Sequence, residues 1–162
     1  MTRLLILLSL FAVTAMCADS TKPIFRRLSP DAAAHMDKQR AFVAQLVAAQ
    51  FPSAKITRSK ADFALLQRIL DAKLIKKEET WKLQSLGIVF GDALASTIEG
   101  LSWWEITDEY GTDPTLRYHE TTLQLNALTM LSKRIEDGKD VDVSKMAAWL
   151  ADYVRTKAPE FK

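Results

Sequence analysis

The chemistry-bearing residues of this 162-residue chain crowd between positions 92 and 120. In that span Asp92, Glu99, Glu105, Asp108, Glu109, Asp113 and Glu120 meet one cation, Arg117. Asp108, Glu109 and Asp113 flank Gly111-Thr112-Asp113-Pro114, whose residue types favour a turn, so a strand-turn-strand path gathers three carboxylates. Carboxyl groups separated by roughly 5 to 9 Å can act as acid and base in glycoside cleavage. The simpler expectation is structural, with a charge-assisted pair from Arg117 to Asp108 or Asp113 fixing the hairpin.

Trp103 and Trp104 are adjacent, and neighbours on a strand face opposite sides of the sheet. One ring belongs to the core. The other is covered by a helix, or joins Tyr110 and Tyr118 in an aromatic binding surface, with sugar stacking as its narrower form.

Other chemistries lack their residues. His119 stands beside Glu120, but the other histidine, His35, is remote in sequence, and zinc wants a set of nitrogen or sulfur ligands. The acids do not follow the spacing of a calcium loop. No metal and no cofactor is expected. Ser132-Lys133 are adjacent in a helical segment and point in different directions, and no serine sits in a GxSxG turn. Gly87-Ile88-Val89-Phe90-Gly91 lacks the lysine of a phosphate loop. A glycine inside a helix costs on the order of 1 kcal/mol relative to alanine, so Gly87 and Gly91 predict close approach of another element.

The elements that position these groups read as follows. Ser29-Pro30-Asp31 supplies an N-cap, a first-turn proline and a favourable acid. A helix follows from Pro30 to Phe51, with Met36, Phe42, Val43, Leu46 and Val47 at helical spacing, and Pro52 stops it. Ser59 and Asp62 open a second helix that ends near Lys73. A third runs from Glu78 to Gly100 and is apolar almost all round in its middle, which predicts the central helix of the domain. Leu101 to Tyr110 and Thr115 to Leu125 favour strand. Leu128 to Glu136 and Val143 to Thr156 are helical, separated by Asp137-Gly138. The fold class is α+β: a helical N-terminal half, a small antiparallel hairpin or three-stranded sheet, and C-terminal helices.

The first residues address location. Arg3, an apolar run from Leu4 to Val13 and the small residues before Asp19 have the layout of a signal peptide, and the run is half what a membrane span needs. Residues 1-18 are therefore expected to be a leader, 19-28 a flexible tail, and 29-162 one domain, periplasmic or secreted. Lipidation at Cys17 is disfavoured by Met16 and Thr14. Removal of Cys17 leaves no cysteine, so the fold must rest on its core. The net charge of +2 gives no reason to expect nucleic-acid binding. Its distribution is uneven: residues 18-82 carry 13 Lys or Arg against 7 Asp or Glu, and residues 83-162 carry 8 against 13.

Trp81, Leu86-Gly87, Gly91-Asp92, Asp108-Glu109-Tyr110-Gly111, Asp113-Pro114, Leu116-Arg117-Tyr118, Leu128-Thr129-Met130 and Ser132-Lys133-Arg134-Ile135-Glu136-Asp137-Gly138 occur together at separations that resemble a bacterial family of domains of unknown function. The resemblance covers Ala61 to Val143. Ala127 replaces the proline usual before Leu-Thr-Met, and Lys139 stands where an acid often follows Asp137-Gly138. The family implies no activity. With no catalytic constellation, the expectation is an exported, non-enzymatic binding protein whose partner is another protein, including an inhibitor or immunity role. Its candidate surface is Trp103, Trp104, Asp108, Glu109, Tyr110, Asp113, Arg117 and Tyr118. The alternative is an envelope enzyme or glycan-binding factor acting on peptidoglycan.

Overall fold

A computed structural model describes residues 23-161. The expected leader, its cleavage site and Cys17 lie outside these residues. The element order is β1 (Ile24–Arg27), α1 (Pro30–Gln50), α2 (Asp62–Asp71), α3 (Thr80–Thr97), β2 (Leu101–Asp108), β3 (Gly111–Tyr118), β4 (Gln124–Leu125), α4 (Ala127–Glu136) and α5 (Val143–Lys157), closed by a 3-10 turn at Ala158–Glu160. The four strands form one antiparallel sheet in the order β1-β2-β3-β4, and the α+β expectation holds.

Local sequence explains the helix starts. The Ser29 hydroxyl accepts the Ala32 N–H at 3.2 Å, with Pro30 in the first turn. Asp62 is fully buried at the start of α2, where its carboxylate accepts the Thr57 N–H and hydroxyl, both at 3.0 Å, and so ties down the preceding loop.

α3 is the central helix, buried at Leu83 and at every position from Ser85 to Leu94. α1, α2, α4 and β2 pack around it. Its two glycines mark the closest approach. A Cβ on Gly87 would fall 2.7 Å from the Ala127 carbonyl oxygen and nearer still to that of Leu128, so α4 enters directly against the α3 backbone. A Cβ on Gly91 would collide with the Trp103 ring. The main core joins Val43 and Val47 of α1, Leu66 and Ile69 of α2, Phe90 of α3, Leu116 of β3, Leu131 of α4 and Leu150 of α5.

Two expectations are corrected. Residues 24-27, expected within a flexible tail, form strand β1, paired to β2 from Ile24↔Thr107 to Arg27↔Trp104. The hairpin also turns earlier than the sequence suggests. Asp108 pairs with Gly111, leaving Glu109-Tyr110 as a two-residue loop, and Asp113-Pro114 lies within β3 opposite Ile106 and Glu105. Gly111 takes φ 134°, and the Asp108 carboxylate accepts the Tyr110 N–H at 2.8 Å. Pro114 is tolerated in the strand because β4 pairs only with Leu116 and Arg117, so the far edge of β3 is open at the proline.

Candidate functional site

The strand register divides the candidate residues between two faces and a tip. Leu101, Trp103 and Glu105 face the helices, whereas Trp104, Ile106 and Asp108 face away. Trp103 lies against α3, where its indole N–H donates to Asp92 Oδ1 at 2.9 Å. Tyr118, on the helix side, packs edge-on to His119 with ring centroids 4.4 Å apart.

No helix is needed to cover Trp104, which is only 6% exposed. The guanidinium of Arg27 lies 3.9 Å from its ring centroid and that of Arg117 lies 4.5 Å from it, with Arg117 also 4.3 Å from the Phe25 ring. Stacked guanidinium groups shield the ring while keeping their own edges polar. Trp104 is thus no open platform for a sugar.

The expected pair from Arg117 to Asp108 or Asp113 does not form. Arg117 sits opposite Ser102, at the far end of the hairpin from the Asp108-Gly111 closure. It lies six positions from Gly111, roughly 20 Å, and four from Asp113, roughly 13 Å, at about 3.3 Å per residue. Its guanidinium instead donates to the carbonyls of Thr121, at 2.6 Å, and Glu120. These bonds pin the turn at His119, whose φ is 50°. His119 is exposed in that turn rather than in a strand.

The hairpin tip carries what remains of the candidate surface. Tyr110 is 88% exposed, and Asp108, Glu109 and Asp113 are all exposed. Asp113 lies opposite Ile106, two positions along from the partner of Asp108. The two carboxylates are therefore diagonal neighbours on one face, about 7 to 8 Å apart at the backbone. That spacing meets one condition for acid-base work, but the tip is a protrusion, whereas catalytic groups work inside concave, water-excluding sites. Among the described residues, neither Asp108, Glu109 nor Asp113 is in an ion pair. Also among the described residues, no group of three His, Cys, Asp or Glu could hold a metal ion, and no helix is long and apolar enough to cross a membrane.

Sequence reasoning missed the cluster that anchors this surface. Asp92, with its side chain 6% exposed, receives Arg40 Nε at 2.7 Å and Nη2 at 2.8 Å in a bidentate pair. Arg58 approaches to 3.8 Å, and Arg40 also reaches Asp37 at 2.9 Å. The hydrogen bond to Asp92 raises the Arg40 pKa above its ordinary value. Together with the Trp103 indole, the carboxylate ties α1, α3 and β2 at one point. A second tie is Glu105, which accepts the Ser29 hydroxyl at 2.9 Å and the Ser29 N–H at 3.2 Å, joining the hairpin to the α1 cap. The available signal was the charge itself, since an acid within the all-apolar stretch of α3 requires a partner.

Residues 62-146 match the model of a domain of unknown function, DUF3806. The chain belongs to the DUF3806 family. The matched segment runs from the start of α2 into α5 and holds Asp92 and the whole hairpin, while β1 and α1, with Arg40, lie outside it. No curated protein matches. A crystal structure from Bacteroides thetaiotaomicron VPI-5482, at 1.50 Å resolution, superposes with a TM-score of 0.75 at 13% identity, covering 83% of this chain and 49% of that one. The likeness is one of fold, and this chain spans about half the length of that neighbour.

Proposed function

We propose that this domain is an exported, non-enzymatic binding module whose β2-β3 hairpin presents an acidic surface to a basic protein, as an inhibitor or immunity-like factor would. The observation that carries this reading is the tip itself: Asp108, Glu109 and Asp113 stand exposed around Tyr110 without counter-ions among the described residues, on a hairpin anchored at its base by Arg117, Trp103 and Glu105. Unpaired like charges on a rigid support favour a partner of opposite charge, and they steer its approach. Trp103, Trp104, Arg117 and Tyr118 support the surface, while Asp108, Glu109, Tyr110 and Asp113 form it. Export rests on the leader-like composition of residues 1-18.

The test uses the chain from Asp19, which keeps every described element, beside its D108K/E109K/D113K form, both as bait at low salt against periplasmic extract. A protein retained by the first, released at high salt and lost from a folded second form supports the proposal. Equal retention by both forms, or retention of peptidoglycan fragments alone, overturns it.

A further inference from the structure

Between α1, α3 and the hairpin, on the face of the sheet that carries Glu105 and Pro114, lies a cleft of about 270 Å³. His35 and Gln39 of α1, Gln84 of α3 and Glu105 of β2 supply its polar lining, and Pro114 and Leu128 are among its apolar walls. Among the described residues, no lysine or arginine lines it. Asp113 also borders it, but by its register with Ile106 the Asp113 carboxylate belongs to the opposite face of the sheet.

Gln39 makes the cleft unusual. It is 1% exposed, on the buried stripe of α1 that otherwise carries Met36, Val43 and Val47. Its Oε1 is buried and, among the described residues, is the one buried side-chain polar atom without a hydrogen-bond partner. A buried carbonyl that accepts nothing is costly, and an apolar residue of the same size would avoid that cost. Nearby, Glu105 is held in place by Ser29, with one bond to each carboxylate oxygen, and each oxygen keeps a further lone pair. The lining thus offers acceptors and one negative charge.

We propose that this cleft binds a compact cation, an alkylammonium or guanidinium group, whose N–H groups donate to Gln39 Oε1 and to the Glu105 carboxylate. An anion is repelled by Glu105, and an apolar group leaves Gln39 unpaired. The cation comes from a free small molecule or from a basic side chain of a bound protein, and the chemistry of recognition is the same. The site borders the acidic tip at Asp113 but draws on neither Asp108 nor Glu109.

The test is a titration of the chain from Asp19 with methylguanidinium, butylammonium and N-acetylarginine methylamide, read from the NMR signals of the Gln39 side-chain amide and the His35 ring. Acetate and glycerol serve as controls. Saturable shifts with Kd of about 1 mM, weakened at least roughly tenfold by Q39M and by E105Q, are expected. The E105Q form keeps an acceptor for Ser29, so it guards against a Q39M variant that fails to fold. Tighter binding of the arginine derivative than of methylguanidinium assigns the site to a protein side chain; equal or weaker binding assigns it to a small molecule. Absence of saturation, equal shifts with glycerol, or shifts unchanged in both variants overturns the proposal and leaves water as the partner of Gln39.

Discussion

Replacing Asp92 by leucine removes the point at which α1, α3 and β2 meet. Arg40, whose side chain is 15% exposed, then keeps only Asp37, itself 66% exposed. Breaking a buried pair from one side costs about 3 to 5 kcal/mol, because the surviving charge stays desolvated. Against a total stability of about 5 to 15 kcal/mol for a domain, D92L should lower Tm by about 10 °C, at roughly 2 to 4 °C per kcal/mol. R40M should cost a similar amount, since it strands the Asp92 carboxylate with the Trp103 indole and the distant Arg58. The double variant leaves no buried charge at this junction. Its remaining cost is the Trp103 N–H without an acceptor, about 1 to 3 kcal/mol. The two single effects therefore sum to about 6 to 10 kcal/mol while the double variant loses far less, giving a coupling of at least about 3 kcal/mol. Urea unfolding followed by circular dichroism measures all four corners of the cycle. Costs that add to within about 0.5 kcal/mol, or a D92L penalty below about 1 kcal/mol, would refute the assignment of Asp92 as the buried anchor.

Gly87→Ala should destabilise by about 1 to 3 kcal/mol despite the roughly 1 kcal/mol that alanine gains in a helix, because the new methyl meets the α4 backbone, which cannot turn aside. A stabilised variant in the same urea assay would contradict that packing. Arg117→Ala removes the stacking on Phe25 and Trp104 and the bonds to the Thr121 and Glu120 carbonyls. A loss of about 1 to 3 kcal/mol is expected, with faster amide exchange in β1 than in α3. The Glu79 carboxylate is held below its ordinary pKa of 4.5 by a hydrogen bond from Lys82 and then one from the Lys76 N–H. Its contribution to stability is present above pH 4.5 and lost as pH falls below it, so Glu79→Gln should flatten that part of the acid limb in thermal melts.

What could be read from the sequence was decided locally. Ser29, Pro30 and Asp31 start α1 with contacts within one turn, and the apolar girth of α3 needs no knowledge of its neighbours. Gly87 and Gly91 announced a close approach, though not by which element. The misplaced features depend on distant partners. Ile24-Phe25-Arg26-Arg27 carries two arginines and no apolar alternation, and it becomes a strand because Arg27 and Phe25 find Trp104 and Arg117 across the sheet. Gly111-Thr112-Asp113-Pro114 has more turn chemistry than Glu109-Tyr110, yet the pairing of Trp103 with Leu116 fixes the register, and the turn follows from it. Within the candidate site, the exposed acids were legible as a cluster. Arg40 and Gln39 were not, because each looks like an ordinary polar residue on an amphipathic helix until α1 is laid against α3 and β2.

The pairing of Ile24 with Thr107 joins positions more than 80 residues apart across the whole helical half. Strand β1 therefore waits for residues far along the chain, because neither it nor the Glu105 bond to the α1 cap has a partner until β2 exists. Contacts of such long sequence separation carry a loop-closure cost and slow folding. Strand β1 is thus the cover of the β2 edge: it occupies the hydrogen-bonding side of β2 from Trp104 to Thr107 and lays Arg27 on the Trp104 ring, so its loss would bare an edge of the kind that recruits other strands.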